Sequence, residues 1–230
     1  MNLSERSGYI DCVHLFFLLD NSASTNGERI QELNKAMLRI LPEVAATTVW
    51  NETTPLVHIL SFSADVRWLC STTAEHGIDA RDIVWEDIAA EENPDVESTN
   101  TALAICSILP GLSRRLLGHF PYRPIIVLIT DGHSGNRKET LAAIDELLKC
   151  QKTTCVAIGV SGYTADEMNV FASTGTMQKL IFPVDQAEEI AYVLYDLCIE
   201  DDLPSDIECP MKEMPKIIIT SVFTDDEGGI

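Results

Sequence analysis

Two apolar runs dominate the chain, and each stops on an aspartate. Val13-His14-Leu15-Phe16-Phe17-Leu18-Leu19 ends on Asp20, and Ile125-Ile126-Val127-Leu128-Ile129-Thr130 ends on Asp131-Gly132. Runs this apolar, bounded by polar turn residues, predict strands buried on both faces, as a parallel sheet requires. Leu56 to Phe62 and Thr154 to Val160 have the same character, and Lys179 to Phe182 is a shorter case. Between them the period changes. Ile30, Leu33, Met37, Leu38, Leu41, Val44 and Ala45 recur at three- and four-residue spacing, which predicts a helix over about 28–49, kinked or divided at Pro42. Further helices are expected over about 98–116 (interrupted at Pro110-Gly111), 137–150, 164–173 and 186–199. Val66 to Cys70 follows the second strand too closely for a crossover, so it is expected to pair antiparallel. Strands alternating with helices predict an α/β fold, a doubly wound, mostly parallel central sheet with helices on both faces and one antiparallel edge strand.

The 230 residues suffice for one substantial core. The expected domain covers residues 1–200. Residues 201–230 form an acidic C-terminal tail, expected to be partly flexible, in which Lys216 to Phe223 (KIIITSVF) has strand character and suits addition to a sheet edge.

Charge narrows the partners. Sixteen basic residues against 36 acidic ones leave a net charge of −20. Nucleic acid and anionic membranes are thereby disfavoured, while cations and basic protein surfaces are favoured. No apolar run reaches the roughly 18–20 residues of a membrane span, and the N-terminus lacks a basic region followed by an apolar one. A cytoplasmic location is expected. The seven cysteines include no Cys-x-x-Cys, and several (Cys106, Cys155, Cys198) lie in apolar runs, so free, mostly buried thiols are expected. Between Glu75 and Glu97 nine acids accompany one arginine, Arg81. This segment reads either as a solvated acidic loop or as an acidic rim near a cation site, with Ile83, Val84, Trp85 and Ile88 available to dock it.

Chemistry concentrates after the first strand. Burying the Asp20 carboxylate costs on the order of several kcal/mol unless a cation offsets the loss. Asp20-x-Ser22-x-Ser24 offers one charged and two neutral oxygens within a turn, which suits a small, hard divalent cation such as magnesium. Open parallel sheets gather ligand groups at the carboxyl ends of their strands. Asp131 ends a second strand, and Thr99 lies at the start of the helix preceding it. Three pieces distant in sequence thus converge on one edge.

Asp20-x-Ser22-x-Ser24, Thr99 within Ser-Thr-Asn-Thr-Ala-Leu, and Ile129-Thr130-Asp131-Gly132 together resemble the metal-ion-dependent adhesion site of von Willebrand factor type A domains, over roughly residues 10–200. Within that superfamily the chain looks most like bacterial tellurium-resistance TerY-like proteins. The resemblance implies that Ser22 and Ser24 bind the metal directly and Thr99 directly or through water. Asp20 and Asp131 act mainly through water and hydrogen bonds. Magnesium is the expected ion, with manganese and calcium as alternatives. The implied function is a non-enzymatic, metal-dependent protein-binding module in a tellurium-resistance, stress-response or defence system, alongside a kinase or phosphatase. Its partner supplies an Asp or Glu to the metal. Two departures stand out: Glu97-Ser98 where the family often has Gly-Gly, and Ala23 between the serines where it often has Gly.

Rival readings lack their essential residues. A haloacid-dehalogenase-type, magnesium-dependent phosphohydrolase needs a second Asp where Ser22 stands. No P-loop or dinucleotide-binding glycine pattern occurs. Gly159-Val160-Ser161-Gly162-Tyr163 lacks the last glycine of a nucleophile elbow and reads as a turn. A metal-independent scaffold is the remaining alternative. Of the five histidines (14, 58, 76, 119, 133), His14 and His58 read as core groups and His133 as a candidate for the rim of the metal site.

Overall fold

The strand carrying Asp20 lies inside the sheet, with parallel neighbours on both sides. In the computed structural model, which describes residues 11–51, 53–70, 77–91, 99–117, 124–150, 153–172 and 180–199, β1 (Asp11–Asp20) pairs with β2 (Thr53–Phe62) and with β5 (Ile125–Thr130). Outward from β5 come β6 (Thr154–Gly159) and β7 (Ile181–Pro183), both parallel. The other edge is antiparallel. Two short pieces share it, where one strand was expected: β3 (Val66–Trp68) pairs with the end of β2 and β4 (Ile78–Asp79) with its middle. The order β3-β2-β1-β5-β6-β7 places the switch of winding direction between β1 and β5. Ligand crevices form at such a switch.

Alternation along the buried strands builds two cores. Val13, Leu15, Phe17 and Leu19 face one side with Val127 and Ile129, against α1 (Glu28–Asn51) and α5 (Ala187–Ile199). Phe16 and Leu18 face the other with Ile126 and Leu128, in the core that also takes α2 (Thr101–Leu117), α3 (Arg137–Lys149) and α4 (Ala165–Phe171). The doubly wound expectation therefore holds.

Neither helix is divided at its proline. α1 runs through Pro42 and α2 through Pro110. Each proline is exposed, and the residue four before it, Leu38 or Cys106, is exposed as well. The carbonyl deprived of its helical partner thus lies on the wet face, where water replaces the lost bond. Leu38, counted in the apolar stripe, is 52% exposed. Cys106 is likewise outside the core, although most of the residues around it in sequence are apolar. Cys155 and Cys198 are buried, and burial pushes both thiols up to about 12. All five cysteines whose side chains are described are free.

The acidic segment is neither wholly solvated nor regular. After β4 and one 3-10 turn (Ala80–Asp82), residues 83–91 run without regular secondary structure across α1. Ile83, Trp85, Ile88 and Ala90 pack on the α1 core, while Val84 points out. Asn34 of α1 holds both backbone groups of Ile88, donating to its carbonyl at 2.9 Å and accepting its N–H at 3.0 Å. Residues 201–230, including the KIIITSVF stretch, lie outside the described residues, as do Glu97-Ser98, His76 and His119.

His14 and His58 face each other across β1 and β2, both buried, with Nδ1 of one 3.0 Å from Nε2 of the other. They are core groups, as expected. Among the described residues no helix is long and apolar enough to cross a membrane.

Candidate metal centre

Asp20 is fully buried at the end of β1. Its Oδ1 accepts the Ser22 N–H at 3.0 Å, and its Oδ2 accepts the Thr130 hydroxyl at 2.6 Å. Thr130 in turn accepts the Gly132 N–H at 3.1 Å, so the last residue of β5 links both strand ends. These donors favour the charged carboxylate, but desolvation outweighs them and pushes Asp20 up to about 6, with the nearby Asp131 adding to the rise.

The chain then turns through a 3-10 turn at Ala23–Thr25, closed by the Thr25 hydroxyl donating to the Ser22 carbonyl at 2.7 Å. This turn brings the Ser22 and Ser24 hydroxyl oxygens to 3.0 Å from each other. Ser22 is buried and Ser24 exposed. Two neighbouring oxygens of an octahedral magnesium site, each about 2.1 Å from the ion, lie about 3.0 Å apart. The hydroxyl pair therefore fits a small octahedral cation.

Asp131 follows β5 and is also fully buried. Its Oδ1 accepts the His133 N–H at 3.1 Å, and its Oδ2 accepts Arg29 Nη1 at 3.1 Å. Gly132 beside it adopts φ +79°, and a Cβ there would collide with the Thr164 carbonyl. Thr164 sits so close because its N–H donates to the Asp131 carbonyl at 2.9 Å and its hydroxyl to the Gly132 carbonyl at 2.7 Å. Only glycine serves there.

Thr99 is buried just before α2. Its carbonyl accepts the Gly135 N–H at 2.8 Å, beyond β5, and the next residue, Asn100, donates its N–H to the Ser63 carbonyl at 2.7 Å, beyond β2. Because β1 lies between β2 and β5, this loop spans the end of β1. All five residues singled out in the sequence (Asp20, Ser22, Ser24, Thr99 and Asp131) thus meet at one strand-end edge. His133 is exposed, with Nδ1 3.4 Å from the Asp131 carboxylate, at the rim.

Three participants escaped the sequence reading. Thr130 passed as the end of a strand. Arg29 was not singled out at all. Asn21, between Asp20 and Ser22, accepts the Glu91 N–H on its carbonyl at 2.7 Å and donates its side chain to the Ala89 carbonyl at 3.3 Å. Residues 89–91 of the acidic segment therefore lie against the candidate metal loop. Of the two readings offered for it, the rim matches its position. Ser161, in the elbow-like stretch, forms part of a turn and donates its hydroxyl to Glu32. Among the described residues no three His, Cys, Asp or Glu side chains cluster to hold a metal, so the candidate donors here are hydroxyls backed by carboxylates.

Solved structures share this architecture. Manganese-loaded TRAP protein from Plasmodium vivax superposes with a TM-score of 0.61 at 15% identity, covering 82% of this chain and 74% of that one. Proximal thread matrix protein 1 from the mussel byssus, with zinc in its metal-ion-dependent adhesion site, gives 0.51 at 19% identity, covering 83% of this chain and 47% of its own. A von Willebrand factor type A protein from Catenulispora acidiphila gives 0.55 at 12%, covering 82% and 42%. The chain spans less than half the length of the mussel protein. No curated protein matches the chain in sequence. At these identities the structural likeness carries the fold, and the sequence carries the family: the model of the von Willebrand factor type A domain matches residues 14–195, and the chain belongs to that family.

Proposed function

We propose that the chain is a metal-dependent protein-binding module, not an enzyme. Ser22 and Ser24 would hold the cation through their hydroxyls, Thr99 directly or through water, and Asp20 and Asp131 through water and hydrogen bonds. Bound there, a divalent ion supplies an open coordination position to an Asp or Glu of a protein partner. The observation that carries this reading is the division of labour among the oxygens. Each carboxylate oxygen of Asp20 and Asp131 already accepts a protein donor, while the two serine hydroxyl oxygens lie 3.0 Å apart, the spacing of an octahedral edge. A site poor in directly bound charge leaves the metal attractive to an incoming carboxylate.

Magnesium is the ion proposed, ahead of manganese and calcium, because calcium's longer bonds spread neighbouring ligands further apart. The TerY-like resemblance of the sequence motifs suggests a cytoplasmic tellurium-resistance or stress-response system with a kinase or phosphatase as a candidate partner. A magnesium-dependent phosphohydrolase is disfavoured, since Ser22 stands where its general acid belongs.

The test is a thermal melt of the full chain in chelator and then in Mg2+, Mn2+ or Ca2+, beside Asp20→Ala. A rise in the wild type alone supports the site, and capture of an acidic partner lost on Asp20→Ala or Ser22→Ala supports the function. Partner capture that survives in the metal-free variants would favour a metal-independent scaffold instead.

A further inference from the structure

We propose that Arg29 sets the charge of this site: it offsets Asp131 so that a divalent cation is held weakly and retains positive charge for a partner's carboxylate. The inference rests on the metal-binding reading above. Arg29 is in the first turn of α1. Its Nη1 donates to the Asp131 carboxylate at 3.1 Å and to the Ser24 carbonyl at 2.8 Å. One guanidinium thus joins the serine loop to an aspartate 102 positions away in sequence.

The surroundings are shaped for it. Gly162 takes φ +76°, and a Cβ there would stand 3.1 Å from Arg29 Nη2. The adjoining Ser161 is clasped by Glu32, one turn further along α1, which accepts its N–H at 2.9 Å and its hydroxyl. The β6–α4 loop is therefore fixed beside the guanidinium, and the side chain is only 32% exposed.

Charge gives the arrangement its meaning. Asp20 and Asp131 carry two negative charges and Arg29 one positive. A divalent cation would turn the remaining negative charge into a positive one. Without Arg29 the loaded site would be neutral. A chain of net charge −20 repels an acidic partner at a distance, so a local positive surplus is what makes the approach of a carboxylate favourable.

Manganese titrations of the full chain, followed by electron paramagnetic resonance, test this with acetate as the carboxylate probe. Arg29→Gln should bind Mn2+ about tenfold more tightly than wild type, as expected for removing a nearby like charge at intermediate dielectric. Acetate should bind the manganese-loaded Gln variant about tenfold more weakly. Arg29→Lys, which keeps the charge, should stay close to wild type in both. Unchanged Mn2+ affinity in Arg29→Gln overturns the inference while leaving the site intact. Equal loosening in the Gln and Lys variants also overturns it, since Arg29 would then be only a brace. If wild type and Asp20→Ala alike fail to bind Mn2+, the metal reading falls and this inference with it.

Discussion

The ends of β1 and β5 are neighbours, and each holds a fully buried carboxylate, but they manage its charge differently. Asp20 is surrounded by neutral donors, the Ser22 amide and the Thr130 hydroxyl. Asp131 has an amide too, but its second oxygen meets a permanent cation in Arg29. Neutral donors soften the cost of burial without cancelling it, and Asp20 accordingly sits near pH 6, well above its ordinary 3.8. The contrast teaches where a divalent ion has most to offer. The unbalanced charge lies at the end of β1, beside the two serines, and the Asp131 side brings its own counter-ion.

Acidity probes the Asp20 side most strongly. A carboxyl whose folded pKa exceeds its unfolded value holds its proton more tightly when folded. Its contribution to stability is therefore present at low pH and is lost as pH rises from about 4 through about 6. In chelator, Asp20→Asn should gain on wild type across that window, reaching roughly 3 kcal/mol at neutral pH, as read by urea unfolding. A flat difference between the two proteins from pH 4 to 8 would erase the contrast. Metal should come next. An ion at about 100 times its dissociation constant should stabilise wild type by roughly 2.7 kcal/mol and Asp20→Ala not at all, measured by melting. Asp131→Ala should then cost about 2 kcal/mol even in chelator, because it strands Arg29 and the His133 amide, the partial exposure of the guanidinium limiting the loss. If that cost persists undiminished in an Arg29→Ala background, the ion pair is not its source. The smallest change is Thr130→Val. It removes the hydroxyl linking the two ends and should cost about 1.5 kcal/mol in chelator-free unfolding, while weakening metal binding more than the Arg29 contact.

Much of this was written in local patterns. The uninterrupted apolar runs before Asp20 and Asp131 dictate strands buried on both faces, and their alternation with helices dictates a mostly parallel sheet. A strand-end aspartate followed by alternate serines is a local signal as well. What escaped detection depends on contacts between distant positions. Arg29 looks like any exposed helix charge until the sheet brings Asp131 beside it. The docked segment 83–91 has no period to read, and its anchors Asn34 and Asn21 lie 54 and 68 positions from their partners. Local composition misled at Cys106, where helical geometry turns one residue of an apolar stretch outward. Nor does a proline divide the helix at Pro42 or Pro110, where solvent on the outer face makes a missing helical bond cheap.

The interior position of β1 has a consequence for the order in which the molecule assembles. β1 and β2 are joined through one helix and are free to pair early, whereas the β1–β5 pairing joins Leu15 to Ile125 and must close a loop of more than a hundred residues. Asp20 and the serines are made before Asp131 and Arg29 can meet. A cation that needs both strand ends would thus arrive after the slow step. It should leave the refolding rate nearly unchanged and lengthen the lifetime of the finished fold, a division that stopped-flow kinetics with and without Mg2+ would reveal.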